Sequence, residues 1–320
     1  MCTPYFYTVA LPVYGQYPAP RFTIAHLSDT HLLADGKRQY DTVNPEPSLV
    51  TALQRLTEVE TPPDALVITG DLTDLGEPAA YERLKELVEA TAAELNAPVV
   101  WVIGNHDSRL SYSSTLFGTP SRDPQDRVYD LGGLRIVSLD STVPGYHHGA
   151  IEPSQLEWLR DVLATPAEHG TIVAMHHPPL PLAMDRISQV IELTDQRAFA
   201  DVVRGSDVRA ILAGHMHYSM SSLFAGIPVF VASASCYTMD LASKGRVYSG
   251  VDGGQAFAML HVFDAGSGNL PEAPVTHTVV PISRAQEIAG IGTNQEERLR
   301  TLSREDFFEV LSKKGPEYVD

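Results

Sequence analysis

Apolar and polar positions alternate along this chain in blocks whose period switches between strand and helix. From Arg21 to Leu27 the pattern alternates and then turns apolar, which predicts a strand ending at Ser28-Asp29-Thr30-His31. A polar loop from Asp35 to Asn44 leads into Pro45 to Glu60, where Leu49, Val50, Leu53 and Leu56 share one helical face. The Pro62-Pro63-Asp64 turn starts a second strand, the apolar run Ala65 to Thr69, which ends in Gly70-Asp71. Glu77-Pro78 opens a helix to about Leu95 with Tyr81, Leu84, Leu87 and Val88 at helical spacing. Pro98 to Ile103 is a third buried strand, ending at Gly104-Asn105-His106-Asp107.

The plan then repeats. Leu134 to Leu139 reads as a strand ending at Asp140, Pro153 to Leu163 as a helix, and Thr171 to Met175 as a strand ending at His176-His177-Pro178-Pro179. Asp195 to Val203 is a further helix, and Val208 to Ala213 a strand ending at Gly214-His215-Met216-His217. Pro228 to Ala232, Gln255 to Phe263 and Val275 to Pro281 are expected to form a more antiparallel, hairpin-linked sheet. Arg304 to Leu311 is a short amphipathic helix candidate whose Phe307, Phe308 and Leu311 need a surface to pack on. Alternating strands and helices imply an α/β (α+β mixed) chain in which helices cover the sheets and function sits at the carboxyl ends of the strands. There is no internal repeat and no clean linker. The expected organisation is an irregular arm over 1–20, one catalytic domain over 21–282 and a polar tail over 283–320.

Composition narrows the class of ligand. The 320 residues hold 23 Lys and Arg against 40 Asp and Glu, a formal charge of -17, which repels polyanions and argues against extended nucleic acid as a partner. A small anion is still compatible, held by locally placed cations. Two cysteines, Cys2 and Cys236, cannot build a disulfide framework, and the expected setting is a reducing cytoplasm. No apolar run is long enough to span a membrane. The first twenty residues lack the basic start and apolar core of a secretory signal. They carry four tyrosines and read as an arm, free or lying on a second copy in a homodimer.

The strand ends collect Asp29, His31, Asp71, Asn105, His106, His176, His215 and His217. All are oxygen or nitrogen donors without a thiolate, a set suited to iron, manganese, zinc or cobalt rather than to a cysteine-caged zinc. An unpaired acid at the mouth of a buried strand is costly, so Asp71 is expected to meet positive charge. In an extended turn residues two apart point the same way, so Asp29 with His31, and His215 with His217, would each give two donors to one place. Singly, such pairs are more often structural, and Gly70-Asp71 alone reads as a helix cap. Five such pieces in order, each at the end of a strand, make coincidence a poor account.

Asp29-x-His31, Gly70-Asp71, Gly104-Asn105-His106-Asp107, His176 and Gly214-His215-x-His217 resemble the complete signature of the calcineurin-like metallophosphoesterases, over roughly Phe22 to Val280. The stretches from Gly70 to Tyr81, Val143-Pro144-Gly145-Tyr146-His147-His148-Gly149 and Ala234-Ser235-Cys236-Tyr237 are most similar to the bacterial class III cyclic-nucleotide phosphodiesterases. The resemblance implies a four-layer αββα sandwich of two mixed β-sheets flanked by helices. It assigns Asp29, His31, Asp71 and His217 to one metal and Asp71, Asn105, His176 and His215 to the other, with iron and manganese first in order and zinc or cobalt as alternatives. Asp71 would then bridge.

The same resemblance implies hydrolysis of 3′,5′-cyclic AMP, or of other cyclic nucleotides, by a metal-bridging hydroxide, with His106 protonating the leaving alkoxide or stabilising the charged phosphorane. Asn105 and His106 would also bind substrate. Of His147 and His148, His148 is the favoured phosphate contact. Asp74 or Asp107 would orient a histidine from behind, and His177 is expected to be structural. Leu75 stands where the phosphoprotein phosphatases of the superfamily carry a phosphate-gripping arginine, which argues against that activity. Cys236 reads as a free buried thiol rather than a nucleophile, and Gly250-x-x-Gly253-Gly254 as a loop. The competing expectations are a hydrolase of glycerophosphodiesters or another small diester, and a binding scaffold without turnover. Scaffolds usually lack ligands, and here none is missing.

Overall fold

A computed structural model describes residues 17–183, 188–264, 273–290 and 301–313. Residues 20–264 with 273–284 form one compact unit. Its elements run β1 (Phe22–Leu27), α1 (Glu46–Leu56), β2 (Ala65–Thr69), α2 (Pro78–Leu95), β3 (Val99–Val102), α3 (Arg109–Phe117), β4 (Arg127–Leu131), β5 (Leu134–Leu139), α4 (Pro153–Leu163), β6 (Thr171–Met175), α5 (Gln196–Val203), β7 (Val208–Ala213), β8 (Met220–Phe224), β9 (Ile227–Val231), the two-residue strands β10 (Thr238–Met239) and β11 (Gly250–Val251), β12 (Ala256–Val262) and β13 (Val275–Pro281).

The strands form two mixed sheets. One has the order β13-β12-β1-β2-β3, the other β4-β5-β6-β7-β9-β8, and β10 pairs only with β11. In the first sheet β1, β2 and β3 are parallel, with β12 and β13 added antiparallel at one side. In the second β5, β6, β7 and β9 are parallel, and antiparallel β4 and β8 close the edges.

The period of two within each strand explains the layers. Val67 on β2 joins Ile24, Val102, Ile136, Ile172, Ala174, Leu212 and Leu260 in a core contributed by both sheets, so the sheets pack face to face. The alternate residues, Leu66 and Ile68, pack outward with Leu49 and Leu53 of α1, Tyr81, Leu84 and Val88 of α2 and Tyr112 of α3. On the other side Val137, Val173 and Ile211 pack with Leu159 and Leu163 of α4 and Phe199 and Val203 of α5. Helix, sheet, sheet and helix make the four αββα layers. Because both sheet faces are covered, the central strands read as continuous apolar runs.

The C-terminal strands divide differently from the expected hairpin-linked sheet. β9 pairs parallel with β7 in the second sheet, while β12 and β13 extend the first. β9 does form an antiparallel hairpin, with β8, and β12 pairs antiparallel with β13, but the other edge of β9 lies parallel to β7 and the other edge of β12 pairs with β1, far away in the chain, so the two hairpins fall in different sheets. Five elements were not anticipated: α3, β4, β8 and the two-residue strands β10 and β11, the last of which takes Gly250 from the expected loop. α3 holds four Ser or Thr residues, poor helix formers in an interior. It is fixed instead by the Ser108 side chain at its start, by left-handed Gly118 at its end and by Tyr112, whose buried hydroxyl donates to Trp101 O at 2.9 Å. β4 and β8 are edge strands with charged or serine-rich faces.

The arm as far as Gln16 lies outside the described residues. In the tail, one α-helical turn, α6 (Arg304–Phe307), passes into a wider helical turn over Phe308–Ser312, with Phe308 and Leu311 about half exposed. Among the described residues no helix is long and apolar enough to cross a membrane.

Candidate metal centre

Five strands of the two sheets, β1, β2, β3, β6 and β7, deliver their carboxyl ends to one place. Asp29 and His31 follow β1, Asp71 follows β2, Asn105 and His106 follow β3, His176 follows β6, and His215 and His217 follow β7. Asp29, His31, Asp71, His176, His215 and His217 are all buried.

The turns that present them are not extended. Asp29, His31, Asp71, His215 and His217, five of the seven predicted metal ligands, have φ between 44° and 73°. Each such left-handed, non-glycine backbone costs on the order of 1 kcal/mol and persists only where its surroundings impose it. Paired donors at i and i+2 therefore arise from two left-handed residues flanking one ordinary one, not from strand alternation.

Close backbone approach does the imposing. A Cβ on Gly104 would lie 2.0 Å from the Asp71 amide nitrogen, and one on Gly214 would lie 1.8 Å from Ser28 Oγ. The glycine in each motif thus lets two loops touch. Asp107 ties the same loops together, accepting from the amides of Leu72, Thr73 and Gly104 and from the Tyr81 hydroxyl. Gly104→Ala should lower unfolding stability by about 3 kcal/mol or more, the upper end of overpacking costs. Urea denaturation of metal-free protein measures this, and a change within about 0.5 kcal/mol would contradict the packing described.

The histidines are oriented by what holds their outer nitrogens. His31 Nδ1 donates to Asp74 Oδ1 at 2.8 Å, His176 Nδ1 to Thr69 O at 2.7 Å, His217 Nδ1 to Tyr237 O at 2.9 Å, and His215 Nε2 to Ile191 O at 3.1 Å. A neutral ring whose proton is committed outward turns a lone pair inward. His215 Nδ1 then faces His176 Nε2 at 3.2 Å, and Asn105 Oδ1 faces the same nitrogen at 3.1 Å. With His176 neutral, these are three acceptors converging on one point, which repel unless positive charge, a proton or a cation, lies among them.

Asp71 joins this group to a second one. Its Oδ1 accepts from the His106 amide at 2.8 Å, while Oδ2 lies 3.3 Å from His176 Nε2 and 3.4 Å from His31 Nε2. His31 Nε2 is buried without a hydrogen-bond partner. His217 Nε2 lies 3.5 Å from Asp29 Oδ1, and donor atoms of Asp29, His31, Asp71 and His217 fall within 4.8 Å of one another. An orphaned buried nitrogen, converging lone pairs and two carboxylates fit a pair of cations, with oxygen and imidazole donors throughout.

His177 is near the second group, but Ser141 Oγ and His147 O already engage its nitrogens, and burial pushes it down to about 3. Cys236 is free and buried, with its thiol pushed up to about 12 by burial, so it supplies no thiolate.

Charge in the centre is coupled to protons. Burial opposes a charge on His176, but Asp71 outweighs it and raises the imidazole to about 9. The same pairing overcomes burial at Asp71 and holds its carboxyl well below the usual range. Burial pushes Asp29 up to about 6 and His217 down to about 3. At His31 too burial is outweighed, with Asp71 and Asp74 helping to hold the imidazole well above the usual range, so in metal-free protein both His31 and His176 carry protons at neutral pH that bound cations would displace. Manganese uptake should strengthen by at least about tenfold per pH unit from pH 6 to pH 8, since release of protons favours binding as protons become scarcer. Calorimetric titration at pH 6, 7 and 8 checks this, and an affinity independent of pH would contradict it.

Other predicted residues surround the opening. His106 Nδ1 donates to Asp74 O at 3.0 Å, which leaves Nε2 toward a cavity of about 350 Å³ that Asn105, His106 and His147 help to line. Asn105 Nδ2 donates to His147 Nδ1 at 2.9 Å, which puts the His147 proton on Nε2. His148 does not line the cavity and packs on the Tyr146 ring, with centroids 5.2 Å apart. The geometry favours His147 over His148, the reverse of the sequence expectation, because adjacent residues of this turn point apart. Asp74 sits behind His31, whereas Asp107 holds backbone. Leu75 is 64% exposed. Sequence reasoning missed the carbonyls of Thr69, Ile191 and Tyr237, since a backbone acceptor carries no residue-type signal.

Residues 22–219 match the profile of the calcineurin-like phosphoesterases. The chain is 48% identical over 290 residues to a Rhodococcus erythropolis protein named a probable cyclic nucleotide phosphodiesterase, covering 90% of this chain and 93% of that one. It is 47% identical over 275 residues to a Mycobacterium tuberculosis protein named a cAMP/cGMP dual specificity phosphodiesterase, covering 86% and 84%. Among solved structures, a dimetal phosphatase from Danio rerio superposes with a TM-score of 0.55 at 19% identity, over 82% of this chain and all of that one, a likeness of fold.

Proposed function

Because the chain belongs to the calcineurin-like phosphoesterase family, we propose that it hydrolyses 3′,5′-cyclic AMP and related cyclic nucleotides to the nucleoside monophosphate at a pair of metal ions. The observation that carries the reading is the coincidence of a complete donor set with 47% to 48% identity to proteins named for that activity. Asp29, His31, Asp71 and His217 would hold one ion, and Asp71, Asn105, His176 and His215 the other. Iron and manganese are the first choice for this donor set, zinc and cobalt the substitutes. When bound, such a pair supplies Lewis acidity and brings the pKa of water down to about 7.

The chain's own residues do the rest. The outward hydrogen bonds of the four histidines keep their inner lone pairs fixed, so little reorganisation accompanies binding. Asn105 divides its amide between the centre and His147, which fixes both. With its proton on Nε2, His147 can donate to a phosphate oxygen. His106, anchored at Nδ1 by the Asp74 carbonyl, can carry a proton on Nε2 to the leaving ribose oxygen. The charge of -17 disfavours extended polyanions, and no arginine stands at Leu75 to grip a phosphoprotein. A homodimer and a cytoplasmic setting belong to the same reading, supported by the tyrosine-rich arm and the scarcity of cysteine.

Manganese-loaded protein should convert cyclic AMP to AMP, with the product resolved by chromatography, and a chelator should stop the reaction. Absence of monophosphate from every cyclic nucleotide, beside rapid cleavage of a glycerophosphodiester, would overturn the substrate assignment.

A further inference from the structure

The cavity over the metal centre has a second lining that the chemistry at phosphorus does not use. Tyr40, Tyr237 and Tyr248 border it together with the histidines. Tyr237 lies against the metal-facing rings, with its centroid 4.4 Å from that of His217 and 6.4 Å from that of His31. Its hydroxyl is 3.2 Å from the Tyr40 hydroxyl and 2.9 Å from that of Tyr248, so three rings from separate loops form one hydrogen-bonded row. The buried Tyr237 stands at its middle, and the two outer rings reach the surface. Tyr237 is 6% exposed, Tyr248 47% and Tyr40 73%.

Core packing does not account for such exposure. Tyr40 has a left-handed backbone, φ 49°, in a loop pinned by Gln39, which donates to Asp74 Oδ1 and pairs with Val43. A bulky residue in that region is strained, and the strain here presents an aromatic ring to solvent at the mouth of the cavity.

Resting on the reading that the substrate is a cyclic nucleotide, we propose that Tyr40 and Tyr248, locked in place by Tyr237, form the subsite for the nucleobase. A flat heteroaromatic ring finds on them a rigid aromatic face and phenolic groups for its polar edge, while the phosphate lies over the metal donors. Stacking of a base on an aromatic side chain tolerates any base, so the subsite would distinguish nucleotides from base-free diesters more strongly than one base from another.

The test compares KM for cyclic AMP with KM for glycerophosphoethanolamine, a diester without an aromatic ring, in manganese-loaded wild type, Tyr40→Ala, Tyr248→Ala and Tyr40→Phe. Each alanine variant should raise the ratio of the two KM values about tenfold, in line with the loss of one stacking partner. Tyr40→Phe, which keeps the ring, should restore most of the ratio. A ratio within twofold of wild type in both alanine variants, with cyclic AMP still hydrolysed by wild type, would overturn the subsite alone. Wild type that cleaves the base-free diester and no cyclic nucleotide would overturn the proposed function and the subsite with it.

Discussion

Asp71→Ala should empty both metal sites at once. Its Oδ2 is the atom where the two donor groups meet, 3.4 Å from His31 Nε2 and 3.3 Å from His176 Nε2. Two cations held by these donors would repel, and a carboxylate shared between them would offset that repulsion. Losing it also strips His176 of the charge that raises it, and leaves the His106 amide without the acceptor that fixes the third loop. Loss of a partner behind a ligand costs about 10- to 100-fold in metal affinity or activity. A shared ligand should cost more, with kcat down by at least about 10³-fold and metal content falling from two ions toward none. Elemental analysis alongside kcat measures this, and a variant that keeps two ions would remove the bridging role from Asp71.

His106→Ala should separate catalysis from metal binding. The imidazole is fixed at Nδ1 by the Asp74 carbonyl and borders the cavity without belonging to either donor group. General acid catalysis contributes about 10²- to 10⁴-fold, and it matters most when the leaving oxygen is basic. The variant should lose about 10²-fold or more in kcat on cyclic AMP, whose leaving group is an alkoxide. On bis(4-nitrophenyl) phosphate, whose phenolate departs without help, the loss should be far smaller. Metal content should not change. An equal loss on both substrates would assign His106 to charge stabilisation rather than to proton transfer.

Much of this centre was legible in the sequence because its residue types are chemically costly where they stand. A carboxylate after a buried strand, or paired histidines after another, demands a partner whatever the fold, and β1, β2, β3, β6 and β7 were each recognisable from apolar runs. The conformation of the turns was not legible. Asp29, His31, His215 and His217 reach the site through left-handed backbones that loop contacts impose, and no local preference predicts those. Strand pairing across the chain was hidden for the same reason. β9 forms a hairpin with β8, as its pattern suggests, but its other edge lies parallel to β7, and that edge decides which sheet it joins. The choice between His147 and His148 turned on a one-residue difference in a Pro-Gly turn, where composition is identical and only direction differs. The tyrosine row needed three loops to come together before its members had anything in common.

One constellation is expected to hold two ions that share Asp71. Crystals of the manganese-loaded chain, measured for anomalous scattering, test it most directly. The account predicts two peaks, one among Asp29, His31 and His217 and one among Asn105, His176 and His215, with the Asp71 carboxylate between them. A single peak, or a second peak bound through His177 with Asp71 turned away, would contradict it.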